Sequence, residues 1–598
     1  MSEASQGGDP IVSDQRAAVR DRWRWLRHLL LPLICLAMLP MLNSTVEEDS
    51  PTSDEWAHFV RGVSYWTTGD TKLSFAHPPL ANAVAGIPFI FEKDVPDLRT
   101  FKHWERGSVI GVYNQYTGID YDRARAQLVR GRRMMFVFPL LLVCYVYLFC
   151  LSQFGWRTAA AAALLLAFNP NVIAHGSLIT TDLPAALGYV VATGEFARYV
   201  RGPPSIWRLV TMSLAVGLAV LCKHSGILLV PALGGLGLIA AIKGWGVFAE
   251  GPFKRRVRRY FGHITATTLI VAFTVNAGYQ FHATGMRVDE ILAKPEPQYW
   301  ISKPYKHEML ERLTPLDSLP DALRIPVPYT QMFGVTAISA QNKRGWFRSY
   351  FWGKQQPNDG HPLYFPVLLL TKTPLAVFAL LLAGLVARRP RRAWPSPPTL
   401  VVAALLTFFL TMIVRSNLNM GMRHMMPAVP LLTILAARGF DKVCERLREQ
   451  PFRVVQIGRV LLAAILVSTP VTALAAYPHY LGWFNAAVGR DRGHWISIIG
   501  EDWNQDLLRA ALHAESMGYA PLYIVEHTTV SRRELEWSGV SYTALRCKGV
   551  PAPGSYVLLR AAVAKTLGDK CYRWAVDRLP IDDVNGNMYF YSIPEEHD

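Results

Sequence analysis

Two short acidic runs and three basic positions in this chain have the makings of chemistry. Ser53-Asp54-Glu55-Trp56-Ala57-His58 places two adjacent carboxylates three residues before an imidazole, and His77-Pro78-Pro79-Leu80 follows shortly after. Thr180-Thr181-Asp182-Leu183-Pro184 carries another acid. The cations are Lys223-His224, Lys372 and Arg423-His424. Carboxylates can take a proton from an attacking hydroxyl, and Lys or Arg can hold a phosphate. Each run also has a purely structural reading. Thr52-x-x-Glu55 has capping-box spacing, and Pro78-Pro79 suits a helix start. Asp182 can serve as a helix N-cap, where the dipole favours its ionised form and makes it a weak base. Snorkelling accounts for Lys223 and Arg423. Lys372 resists that explanation: it sits inside Leu368-Leu369-Leu370-Thr371-Lys372-Thr373-Pro374, where a charge costs about 2.5–3.5 kcal/mol and needs a partner or a ligand.

The elements that must position these groups are apolar helices. Hydrophobic residues make up 51% of the 598 and charged ones 18%. Segments of about 17–25 apolar residues can cross a bilayer, and roughly eleven stretches qualify or nearly so. They are 25–42, 134–154, 158–172, 183–199, 206–222, 226–242, 261–279, 362–387, 399–414, 424–437 and 454–477. The first has no convincing signal-peptide cleavage site after it and is expected to be retained.

The net charge of +17 does not point to nucleic acid, because the basic residues cluster at span ends. Arg20, Arg22, Arg24 and Arg27, the Arg198/Arg201/Arg208 set, Lys254 to Arg259, Arg388 to Arg392, and Lys442 to Arg459 all fall on one side with eleven spans. That side is the cytoplasmic one. The expected domains are a cytoplasmic tail (1–24), a multi-span unit (25–477) with outer loops at 43–133 and 280–361, and an outer soluble unit (478–598). Strand-like Leu522–Val525 and Ser555–Leu559, with a helical pattern at Gln505–Ser516, give that last unit a small α/β character. Of seven cysteines, only Cys547 and Cys571 lie in it, and a disulfide between them is expected. No internal repeat is visible.

Taken in order, these residues resemble a known family. Asp54-Glu55, His77-Pro78-Pro79-Leu80, Thr180-Thr181-Asp182-x-Pro184 and Lys223 follow its pattern. So do Ile325-Pro326-Val327-Pro328-Tyr329, Tyr364-Phe365-Pro366 through Lys372-Thr373-Pro374, and Arg423-His424-Met425-Met426-Pro427-Ala428-Val429-Pro430. The set is similar to the polyprenyl-phosphate-dependent glycosyltransferases of the GT-C fold, which include protein O-mannosyltransferases and aminoarabinose transferases of lipid A. It covers about residues 25–510, ending in Glu501-Asp502-Trp503-Asn504-Gln505-Asp506, where Asn504 replaces a glycine often found in bacterial members. Aminoarabinose transferases carry Glu-Lys-Pro in the place of Ala76-His77-Pro78, so the chain is nearer the wider family than that enzyme.

The resemblance implies an inverting transfer of a sugar from an undecaprenyl-type phosphate to an acceptor hydroxyl at the outer face of a bacterial inner membrane. Asp54 is then the base, Glu55 orients acceptor or sugar, and Asp182 is a supporting or sugar-binding carboxylate. Lys223, Lys372, Arg423 and His424 are candidates for the phosphate, with His77 beside them. The loop at 280–361 is then a flexible lid, and its many prolines argue against a long helix. A divalent metal stays open: Asp54, Glu55, Asp182 and His58 carry suitable donor atoms, but their spacing demands no ion. The rival readings are a secondary transporter, against which the absence of half-to-half similarity counts, and a relative that binds lipid carriers without catalysis.

Overall fold

A computed structural model describes residues 24–293, 320–344, 350–356, 360–387, 396–489, 501–526, 529–576 and 578–595. The Arg20/Arg22 end of the N-terminal tail, the Arg388 to Arg392 run and much of the expected lid lie outside them.

The described residues are mostly helical. Among the described residues five helices are long and apolar enough to cross a membrane, or up to seven if each of two bent pairs is one span. The first of the eleven stretches and the one at 206–222 form shorter apolar helices. Those at Asp182–Arg201 and Ala428–Leu447 are 20 residues long with charged ends.

Both breaks follow from proline chemistry. Proline has no N–H to donate and pushes the preceding residue out of the helical region. The stretch expected as one span over 158–172 is two helices, Trp156–Ala167 and Pro170–Gly176, bent by 61° at Asn169-Pro170. The stretch at 362–387 likewise divides into Tyr364–Lys372 and Leu375–Val386, bent by 99°. Thr373 and Pro374 there are both extended, at ψ 136° and 133°. Lys372 is therefore the last residue of a short helix at a sharp break, not a charge midway along a span. Where the helices run together, small residues set the distance: a Cβ on Gly384 would lie 2.3 Å from the Cα of Gly439.

The segment 43–133, expected to be an outer loop, folds into helices Glu55–Thr67, Pro79–Gly86, Val109–Ile119 and Tyr121–Met134. Gly62 and Gly86 let the first two touch, since a Cβ on Gly86 would meet the Gly62 carbonyl oxygen at 2.3 Å. Within the segment 280–361 a 16-residue helix, Tyr329–Arg344, begins directly after the last proline of the run. It is followed by a hairpin of strands β1 (Tyr350–Phe351) and β2 (Lys354–Gln355).

Beyond residue 500 the chain forms a mixed five-stranded sheet of β3 (Leu522–Ile524), β4 (Thr543–Ala544), β5 (Tyr556–Arg560), β6 (Asp582–Val584) and β7 (Met588–Ser592), in the order β4-β3-β5-β7-β6. β3 pairs in parallel with β4 and β5, while β7 runs antiparallel to β5 and β6. Helices Leu507–Ser516, Thr529–Ser538 and Ala561–Cys571 accompany it, and Cys547 and Cys571 are joined by a disulfide.

This unit is tied to the segment 43–133. Arg125 and Tyr121 bond Glu534, and Arg509 bonds Asp49 and Glu48. The backbone N–H groups of Ser50 and Ser53 donate to the carbonyls of Gln505 and Trp503.

Candidate active site

Four of the residues singled out from the sequence form two ion pairs. Asp54 precedes helix Glu55–Thr67, and its Oδ2 accepts from Arg423 Nη1 at 2.8 Å. The Arg423 guanidinium also lies over the Trp503 ring, 4.1 Å from its centre, and donates through Nε to the Met420 carbonyl. Asp182 opens helix Asp182–Arg201, and its Oδ1 accepts from Lys223 Nζ at 2.6 Å. Thr181, not Asp182, holds the N-cap position, so the capping reading of Asp182 does not apply. The pairs differ in access: the Asp54 side chain is 29% exposed and that of Asp182 only 6%.

The two pairs share one electrostatic neighbourhood. Asp54 and Asp182 both act on His58, and Arg423 and Lys223 both act on Asp182 and His424. His424 lies in the short helical turn that carries Arg423. His77 stands edge-on to His58, 4.6 Å between ring centres, and its Nδ1 is 3.2 Å from the Thr181 hydroxyl. His58 bonds Asn82 at 2.8 Å. Burial, and then the nearby Arg61 charge, lowers the His58 pKa to about 4. Burial, and then His58, Arg61 and Lys223, holds His77 well below the usual imidazole range. Both rings are neutral at pH 7, so they offer hydrogen bonds more than charge.

Glu55 is placed differently from the expectation that it orients a substrate. It is completely buried. Its oxygens accept from Arg132 Nε and Nη2 at 2.9 and 2.6 Å, from Thr52 N at 2.8 Å and from Ile179 N at 3.1 Å. Four donors occupy the carboxylate's acceptor sites. Arg132 in turn donates to the carbonyls of Val46, Asp49 and Ser50. Glu55 therefore clamps the loop before Asp54 to the turn before Asp182. The capping box is only half made: Thr52 N reaches Glu55, but the Thr52 hydroxyl is buried without a hydrogen-bond partner.

Lys372, a candidate for the phosphate, is held by groups of the protein itself. Its Nζ donates to the Leu481 carbonyl at 2.7 Å, stands 3.7 Å from Glu501, and lies over the Phe484 ring at 4.7 Å. At 1% exposure it is committed to the protein, and the partner its burial required is Glu501. Glu501 also accepts from Met422 N, next to Arg423, so this contact braces the site from behind.

Sequence reasoning missed Arg132, His175 and the use made of Trp503. Arg132 reads as one more basic residue before a span. His175 lies within electrostatic reach of Asp182, and its Nδ1 is buried without a hydrogen-bond partner, as is the Thr180 hydroxyl. The only sequence signal for His175 was an ionisable residue close to a span's outer end. At the Trp503 turn the substitution of Asn504 is accommodated: its φ is +81°, a left-handed conformation that asparagine tolerates better than most residues. Among the described residues no three carboxylate, imidazole or thiol groups converge as a metal site requires.

No curated protein matches this chain. Among solved structures it is similar to ArnT from Cupriavidus metallidurans bound to undecaprenyl phosphate, at 13% identity and a TM-score of 0.46 over 93% of this chain and 97% of that one. The apo form of the same protein aligns at 13% identity and 0.44, over 93% and 96%. The Archaeoglobus fulgidus oligosaccharyltransferase, in complex with Zn and sulfate, aligns at 14% identity and 0.43, over 75% of this chain and 52% of that one. Residues 127–275, which carry Arg132, His175, Asp182 and Lys223, match the family model described as dolichyl-phosphate-mannose-protein mannosyltransferase, and the chain resembles the GT-C glycosyltransferases.

Proposed function

We propose that the protein is a multi-pass membrane glycosyltransferase that moves a sugar from a polyprenyl-phosphate donor to an acceptor hydroxyl at the outer face of a bacterial inner membrane. In this reading residues 1–24 are cytoplasmic, 25–477 form the membrane unit and 478–598 lie outside. The observation that carries it is the convergence of two acid–cation pairs, Asp54–Arg423 and Asp182–Lys223, drawn from four separate segments.

The acceptor oxygen attacks the anomeric carbon from the face opposite the phosphate. The carbon–phosphate-oxygen bond breaks as the new glycosidic bond forms, which inverts the centre. Asp54, the more accessible acid, takes the hydroxyl proton. The polyprenyl phosphate leaves with its added negative charge held by Arg423 and Lys223, which the donor draws partly away from their carboxylates. Asp182 keeps Lys223 in place. Neutral His77, with His424, Thr180 and His175, supplies hydrogen bonds to sugar or phosphate oxygens.

The test is incubation of the purified protein with a panel of polyprenyl-phosphate sugars, following release of the free carrier. Consumption of one donor identifies class and sugar together. No release from any donor in the presence of membrane extract as an acceptor source sinks the reading.

A further inference from the structure

A cleft of about 1340 Å³ lies between the segment 43–133 and the sheet-bearing unit. The site residues Asp54, Asp182, Lys223 and Arg423 do not line it. It is larger than the ~300–1,000 Å³ of ordinary small-molecule pockets, so it has room for a chain of several units.

Its lining is balanced in charge, with four guanidinium groups and four carboxylates, and the arginines are held in ion pairs such as Arg509–Glu48 and Arg130–Glu92. That balance disfavours a polyanion or a polycation, either of which needs a field of one sign. What remains is a dense array of planar hydrogen-bonding groups, among them Arg130, His513 and Asp583. Apolar surface is set among them: Leu512 is 45% exposed, and Trp537, 42% exposed, carries the Arg125 guanidinium 4.3 Å from its ring centre on one face. Neutral pyranoses match both features, having adjacent hydroxyls for planar polar side chains and flat C–H faces for an indole or a leucine.

Position links the cleft to the reaction. Leu508, on its wall, bonds Ser50 through its backbone N–H, four residues before Asp54. The same turn presents Trp503 to Arg423. A chain lying in the cleft is thus held by the segment that leads into the paired site.

We propose that this cleft binds a neutral saccharide chain, free or carried on a lipid, as the acceptor. The proposal rests on the transferase reading for the word acceptor and on the cleft alone for the saccharide. The experiment therefore measures binding without donor or turnover. Full-length protein in nanodiscs is titrated with neutral hexasaccharides (maltohexaose, cellohexaose, mannohexaose and chitohexaose), with nanodiscs containing digalactosyldiacylglycerol as the lipid-borne arm, and with hexagalacturonate as the anionic control. Trp537→Ala and the milder surface change Leu512→Glu are compared with wild type, their folding checked by thermal melting.

A neutral chain should bind in at least one arm, and both variants should weaken it by about tenfold or more. Preference between the arms identifies the source. Binding of none of the neutral probes, affinity unchanged in the variants, or preference for hexagalacturonate overturns the proposal. Failure of donor consumption with saccharide binding intact would instead sink the transferase reading and leave the cleft standing.

Discussion

Arg423 and Asp54 stand 369 positions apart in the chain and 2.8 Å apart in space, with the Trp503 ring under the guanidinium. Without a donor each neutralises the other, and the phosphate must compete for the arginine. Asp54→Asn should therefore reduce transfer by about 10²–10⁴-fold while leaving donor binding in place. Arg423→Ala should weaken donor binding. Single-turnover kinetics alongside a donor titration separates these outcomes, and wild-type-like turnover in Asp54→Asn would remove Asp54 from the reaction.

The Trp503 ring centre lies 4.1 Å from the Arg423 guanidinium and, in the proposed mechanism, Trp503 acts through it as a positioning residue. Loss of a cation–π contact costs about 0.5–2 kcal/mol. Trp503→Ala should accordingly raise KM for the donor severalfold, and Trp503→Phe should restore most of it. A residue that merely filled space would lower stability in both variants without moving KM. The donor KM of the two variants, measured at equal thermal stability, decides between these roles.

The Glu55–Arg132 pair should prove structural. Removing one partner of a buried pair costs about 3–5 kcal/mol, because the other charge is left uncompensated. Glu55→Gln should lower the melting temperature sharply and retain measurable turnover at low temperature. If it is fully stable and inactive, Glu55 has a direct chemical role.

Stability should fall in mild acid. The unfolded chain protonates His58 near pH 6.5, whereas the folded protein resists until about 4. Between those values the unfolded state binds the extra proton, so the His58 contribution is complete above pH 6.5 and lost as the pH falls towards 4. The span of about 2.5 units caps the loss near 3 kcal/mol. His58→Gln should flatten the melting profile across that window, and an unchanged pH slope would place the dependence elsewhere.

Cys547 and Cys571 should resist alkylation until reductant is added. Opening this link, 24 residues apart in sequence, should destabilise the outer unit by about 3 kcal/mol. Mass spectrometry of non-reduced, alkylated protein reads the first outcome. Label found on Cys547 and Cys571 themselves, as distinct from the five free cysteines elsewhere in the chain, would contradict the bond.

The residue order alone indicated where apolar helices lie, because hydrophobic length is written locally and bilayer thickness is fixed, but not that two of the eleven stretches divide into bent pairs. Asp54, Asp182, Lys223 and Arg423 were legible for a related reason: a charged group next to an apolar span needs an explanation. Partnership was not legible. Lys372 and Glu55 carry the same kind of signal as Arg423 and Asp54, yet the fold saturates the first two with Glu501 and Arg132 and leaves Asp54 partly open. Which charge is buried against which depends on contacts between segments hundreds of residues apart, such as the turn at 501–506 closing on the loop at 49–55. The 99° break before Pro374 was signalled by the proline, but its angle, and so the place of Lys372, came from the packing around it. Local chemistry nominated the groups, and long-range packing decided which of them remain available.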